Sequence, residues 1–292
     1  MDIRILRYFL AVAQEQNITR AAEVLSTSQP NLSRQLTELE EEVGKKLFER
    51  GSRKITLTEE GMFLRKRAKE IIELVERTET DLSSVDEIIS GVVHIGAAET
   101  HAMRLLADAM LTLRETNPKI QYNIFSGSTL EVTDQLNKGL LDFGVLVAPV
   151  DLQKYDYLRL PVNDVFGVLM RKDSPLAKLK SISPDDIKNQ PVIVAHQQQD
   201  GNVLSGWLGD DSNNLNVVST FNLITTPAMM VEAGLGYAFT FDKLVNTEGD
   251  SNLCFRPLEP KLETGLYLVW KKYQMFTKPA KVFLEHIQHS IY

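Results

Sequence analysis

The chain has 292 residues, 43% hydrophobic and 24% charged, enough for two or three domains and a composition that excludes disordered and fibrous classes. One cysteine, Cys254, excludes an internal disulfide framework and any thiolate metal cluster; a buried, inert thiol is expected. The formal net charge of −7 hides a gradient, because residues 1–69 carry 13 Lys and Arg against 10 Asp and Glu and residues 70–89 carry 1 against 7, so only the first segment offers phosphate a basic footprint.

From Ile3 to Gln16, residues Ile5, Leu6, Phe9, Leu10, Val12 and Ala13 fall mostly on one helical face and predict a support helix. Met1-Asp2 lacks a basic leader and Gln14-Glu15 breaks the apolar run, so no signal peptide is expected. No stretch is long and apolar enough for a membrane span, and the expected location is the cytoplasm. Residues Ile18 to Glu42 then read as two helices around a tight polar turn. Ala21, Ala22 and Leu25 line one face of the first, and Leu32, Leu36 and Leu39 form a stripe on the second. Ser28 is placed as N-cap with Pro30 in the first turn, so that turn presents Gln29, Asn31, Ser33 and Arg34. Gln and Asn match adenine edges, Arg matches guanine or phosphate, and Ser matches either.

After Gly44, LFERGSRKITLT predicts a hairpin: Leu47-Phe48, a turn at Gly51-Ser52, then Ile55 and Leu57 alternating with threonines. This wing carries Arg50, Arg53 and Lys54 at its tip, placed for phosphates or a minor groove. A long helix is predicted from Thr58 to about Ser90, with a heptad seam at Leu64, Ala68, Ile71, Val75, Leu82, Val85 and Ile89. A seam of that length on an exposed acidic helix predicts pairing with the same helix of a second subunit.

The remaining two thirds alternate strand and helix. Strands are predicted at Val92 to Gly96, Ile120 to Phe125 and Phe143 to Val147, with helices to about Arg114 and from Leu130 to Lys138. A second unit begins near Val165, contains a strand at Pro191 to Ala195, and has a helix opened by Thr226-Pro227 and closed by Gly234. A strand at Leu266 to Trp270 and a helix at Pro279 to His289 return to the first unit. Two lobes joined by two crossovers make a cleft for a small ligand. No Ser, P-loop, dinucleotide or zinc-protease motif appears, so no catalytic residues, metal ligands or cofactor are assigned. His286 and His289 lie one turn apart without a third ligand nearby and are expected to face solvent.

AAEVLSTSQPNLSRQL, then GKKLFERGSRKITLTEEG, then the long helix, resemble the LysR-type transcriptional regulators across the N-terminal third. Thr27 stands where a valine-like residue is usual in that family. Weaker motifs extend the resemblance: Ile95-Gly96, Gly127-Ser128, Leu136 to Gly139 with Leu141-Asp142, and Val231 to Gly236. The resemblance implies an α-helical winged helix-turn-helix domain (1–58) and a linker helix (59–90). A bilobed α/β effector domain similar to periplasmic binding proteins follows (91–292), with lobe 1 at 91–161 and 267–292 and lobe 2 at 162–266. It also implies DNA binding by Gln29, Pro30, Asn31, Ser33, Arg34, Arg50, Arg53 and Lys54, as a homodimer or homotetramer on a double-stranded operator. Effector-binding positions carried over are Glu99, Thr100, Ser128, Thr129, Ala148, Pro149, His196 and Thr226. Thr100, Thr129 and Thr226 are equally suited to be N-caps. Glu99 and Asp200 bring negative charge to the cleft and leave the effector open, as does the unusual run Tyr237 to Asp242. The alternative reading, a small-molecule receptor without a transcriptional role, fits the bilobed part alone.

Overall fold

The Asp2 carboxylate accepts the N–H of Arg4 at 2.9 Å and so opens helix α1 (Ile3–Glu15). The structure is a computed structural model that describes residues 1–50, 54–82, 89–196, 203–209 and 215–291. It comprises two units, Met1–Ser83 and Ser84–Tyr292.

In the first unit, α2 (Ile18–Val24) is capped by Asn17 and α3 (Gln29–Val43) by Ser28, with Pro30 in the first turn. Gly44, at φ +66°, ends α3 in the left-handed region that glycine tolerates best. Ala21 and Ala22 are buried between α2 and its neighbours, and Leu32, Leu36 and Leu39 close on Leu6, Phe9 and Val12 of α1. Burial of each of these larger side chains is worth roughly 1.5–3 kcal/mol before entropy is counted, which holds α3 in one orientation.

The predicted hairpin is present: β1 (Phe48–Arg50) pairs antiparallel with β2 (Ile55–Leu57), Phe48 opposite Leu57. Its tip, including Arg53, lies outside the described residues. The wing is fastened at its base by Glu40 of α3, whose Oε1 accepts the Leu47 and Phe48 N–H groups at 2.8 and 3.2 Å while Oε2 accepts Lys46 Nζ at 2.7 Å. Burial works to raise the Glu40 pKa, but the three donors together hold it below the usual carboxylate value. The clamp therefore contributes stability at neutral pH and loses it as pH falls through that lowered value.

Helix α4 (Glu59–Leu82) starts where Thr58 Oγ1 accepts the Gly61 N–H at 3.0 Å and donates to the Lys46 carbonyl at 2.7 Å. A Cβ at Gly61 would stand 2.1 Å from the Leu47 carbonyl oxygen, so only glycine permits this approach. Gly61→Ala should destabilise the first unit by about 2–3 kcal/mol. Chemical denaturation would check this, and an unchanged midpoint would contradict the crowding.

The predicted seam on this helix needs correction. Ala68 is buried in the unit's own core beside Ile72, and Leu64 packs against it, so this stripe serves the head. The neighbouring stripe carries the exposed apolar groups Phe63, Ile71, Leu74 and Leu82. The described helix ends at Leu82; Val85 lies outside the described residues, and Ile89 and Ser90 are not helical. Ile89 packs instead against the core of the second unit.

The second unit continues β3 (Gly91–Ala97), α5 (Met103–Thr116), β4 (Ile120–Ser126), α6 (Thr129–Asn137), β5 (Phe143–Val147) and β6 (Tyr155–Arg171). After a 3-10 turn come α7 (Pro184–Ile187), β7 (Pro191–Ala195), α8 (Val203–Leu208), β8 (Asn216–Phe221), α9 (Thr225–Glu232), β9 (Tyr237–Phe241), β10 (Leu253–Pro257), β11 (Glu263–Lys271) and α10 (Lys278–Ile291). One sheet runs in the order β4-β3-β5-β11-β6-β9-β7-β8, with β10 beside β6. Strands β3, β4 and β5 are mutually parallel in lobe 1, as are β7, β8 and β9 in lobe 2.

In lobe 1, Leu106, Phe143, Phe283 and Ile287 fill the α5 and α10 side of the sheet, while Val132, Leu136 and Leu146 fill the α6 side. The C-terminal helix thus returns to lobe 1, as the alternation predicts. The long strands β6 and β11 pair antiparallel and carry the chain between lobes, with a register shift between Gly265 and Tyr267. The expected lobe boundaries at 161/162 and 266/267 fall inside these two strands.

Candidate functional site

The first turn of α3 leaves Gln29, Pro30 and Arg34 exposed and Asn31 and Ser33 half-buried. Buried Leu32, Leu36 and Leu39 on the opposite face fix which side chains point outward. Arg34 is held only lightly, by Asn31 Oδ1 at 3.5 Å and Glu38 at 3.6 Å. Thr27 has a role the resemblance did not suggest: its hydroxyl accepts the Asn31 side-chain amide at 3.1 Å and so orients that side chain. Lys54 is exposed and Arg50 ends β1. Polar donors on the start of a rigid helix, beside a hairpin with basic residues, suit a major groove flanked by phosphates.

The second site is a cavity of about 300 Å³ between the lobes of the second unit. Glu99, Ser128, Thr129, Ala148 and Pro149 of the sequence-derived set line it; Thr100, His196 and Thr226 do not. Thr100 is buried, with Oγ1 accepting the Ala102 N–H at 3.1 Å. His196 and Thr226 are exposed, and the N-cap of α9 is Ile224, not Thr226. Nor does Thr129 cap α6: Ser128 does, in a reciprocal box with Glu131. Ala148 contributes no free backbone group, since its N–H donates to the Gly265 carbonyl at 3.0 Å and its carbonyl accepts Thr264 Oγ1 at 2.7 Å.

Aromatic residues that the motifs did not assign complete the walls: Phe166, Phe221, Phe239 and Phe241. The signal for two of them was present in the alternation of Phe239 and Phe241 along β9. Phe166 and Phe241 meet with ring centroids 4.4 Å apart. Glu99 reaches across the cleft from lobe 1, and its Oε2 accepts the Ile224 N–H at 2.5 Å. Burial raises its pKa, and the Ile224 N–H offsets this only in part.

Asp164 of β6 is buried, with Oδ2 lacking a hydrogen-bond partner among the described residues. Burial raises its pKa, against the lowering effect of Thr100 and His101. A carboxyl raised in the folded state gives stability that is full below its unfolded pKa and is lost as pH rises through the folded value. Asp164→Asn should therefore reduce the loss of stability as pH rises above the ordinary carboxylate range. Unfolding curves from that range upward test it, and a parallel decline in both proteins would contradict the assignment.

Cys254 is buried in β10, and burial raises its thiol pKa. His286 Nε2 lies 2.7 Å from Thr112 Oγ1 and His289 Nδ1 lies 2.6 Å from the Glu285 carbonyl oxygen, so the two imidazoles are engaged separately. Among the described residues no group of three His, Cys, Asp or Glu side chains is arranged to hold a metal ion.

Comparison with known proteins matches residues 3–62 to the model of a bacterial regulatory helix-turn-helix protein, lysR family, and residues 87–291 to the LysR substrate binding domain. The chain is 30% identical to the Hca operon transcriptional activator HcaR of Escherichia coli over 296 residues, covering 100% of this chain and 98% of the relative. It is 31% identical to the transcriptional dual regulator OxyR of the same species over 205 residues, 70% of this chain and 66% of OxyR. Its fold resembles that of CbnR complexed with target DNA, with TM-score 0.77, 18% identity and coverage of 99% of this chain and 100% of CbnR.

Proposed function

The chain belongs to the LysR family of bacterial transcriptional regulators, DNA-binding proteins with an effector domain, and we propose how its residues divide that work. Gln29, Pro30, Asn31, Ser33 and Arg34 read an operator in the major groove, and Arg50, Arg53 and Lys54 hold flanking phosphates. The exposed stripe on α4 joins two subunits, so that paired heads meet successive turns of the duplex. A small molecule in the cleft between the lobes shifts the spacing or bend of bound DNA rather than merely releasing it.

The observation that carries this reading is the polar first turn of α3, standing exposed on a helix whose other face is locked by Leu32, Leu36 and Leu39. A receptor without a transcriptional role would not need that surface. DNA binding supports a cytoplasmic location, and among the described residues no helix is long and apolar enough to cross a membrane. The reading is of a regulator, not an enzyme.

Footprinting on the DNA upstream of its own gene should give a protected site with dyad symmetry, whose pattern changes with a cleft ligand. Protection that ignores sequence and vanishes with modest salt would count against it, since that is the behaviour of non-specific phosphate contact.

A further inference from the structure

We propose that the cleft takes an organic cation with an aromatic or apolar body, with Glu99 as its counter-charge. The inference rests on reading the cleft as the effector site and specifies its chemistry. Among the described residues that line the cavity, Glu99 is the only ionisable one.

Helix starts are the usual places for an anion, because their amide groups and dipole favour negative charge. Here the N-cap amide of each start is already taken by a glutamate of the chain itself. Glu131 Oε2 accepts the Ser128 N–H at 2.7 Å at the start of α6, and Glu99 Oε2 accepts the Ile224 N–H at the start of α9. Pro227 in the first turn of α9 has no N–H to offer. An anionic ligand would therefore find both N-cap amides already taken and would meet the like charge of Glu99 beside the second.

A cation meets the opposite conditions. Glu99 Oε1 makes no hydrogen bond among the described residues, so the carboxylate keeps acceptor capacity for an ammonium group. Four phenylalanines, 166, 221, 239 and 241, line the cavity, where aromatic rings can bury an apolar body and attract a cation. A cation would also favour the ionised form of Glu99, which burial now disfavours.

The test uses the full-length protein and three matched probes: 4-phenylbutylammonium, 4-phenylbutanol and 4-phenylbutanoate, with affinity read by calorimetry. The ammonium should bind at least tenfold more tightly than the carboxylate. Glu99→Gln should remove about tenfold of the ammonium's affinity, leave the alcohol's nearly unchanged, and not lower the Tm of ligand-free protein. Thr129→Trp, which puts a bulky side chain at a position lining the cavity, should abolish binding of all three. Carboxylate binding as tight as the ammonium's and blocked by Thr129→Trp would overturn the charge assignment while leaving the cleft as effector site. Binding indifferent to Thr129→Trp would overturn the cleft reading itself, and binding of none of the probes at millimolar concentration would overturn the proposal.

Discussion

Arg34→Ala should weaken binding to the operator by about 5- to 150-fold, the equivalent of about 1–3 kcal/mol, and relax preference at one base position. The side chain is 69% exposed and makes only long contacts, to Asn31 and to Glu38 one turn on. Exposed pairs of this kind contribute about 0–1 kcal/mol, so the guanidinium is readily transferred to a base edge. Its loss should leave folding within about 0.5 kcal/mol of the parent, because nothing buried depends on it. Arg34→Lys should recover charge but not the two-pronged donor geometry, and so should bind between the two. Titration of a labelled operator against scrambled competitor measures both terms. Full specificity in the alanine variant would move the reading surface away from α3.

A larger effect is expected on α4. Phe63 is 65%, Leu74 41% and Leu82 81% exposed, on a helix whose other apolar stripe is already used by Ala68 and Ile72. If this stripe is the subunit contact, Ile71→Glu with Leu74→Glu places four carboxylates in a two-fold interface and removes four buried aliphatic groups. At roughly 1.5–3 kcal/mol for each aliphatic group, self-association should fall by at least a thousandfold. Operator binding should fall with it, since one head retains only half the contacts. Sedimentation velocity would report monomer with an unchanged circular dichroism spectrum. A variant that stays dimeric would assign the stripe elsewhere, whereas Ile72→Glu alone should unfold the head and so separates the two faces.

The head was legible because its signals are local. Ser28 and Pro30 start α3, Gly44 stops it, and the Leu32, Leu36 and Leu39 stripe names the buried face. Periodicity also located α4, yet it could not say which of two adjacent stripes the head would claim, and the expected seam took members from both. Strands β5 and β7 match their predicted limits because the apolar run of β5 opens after Asp142 and stops short of Ala148-Pro149, and that of β7 lies between Gln190 and His196. The cleft was harder to read. Phe166, Phe221 and Phe239 come together only through the crossover strands, and no spacing in the chain announces that. Nor can a threonine near a helix start reveal whether it faces ligand or backbone: Thr100 bonds to its own helix, while Thr129 lines the cavity.

The pairing of β6 with β11 makes the two lobes parts of a single hydrogen-bonded ribbon, interrupted only by the irregular step at Gly265 to Tyr267. Sliding one lobe along the other would break this ladder at many rungs together, whereas twisting about the ribbon strains each rung slightly. Relative motion of the lobes is accordingly easier as a twist about this ribbon than as a slide along it.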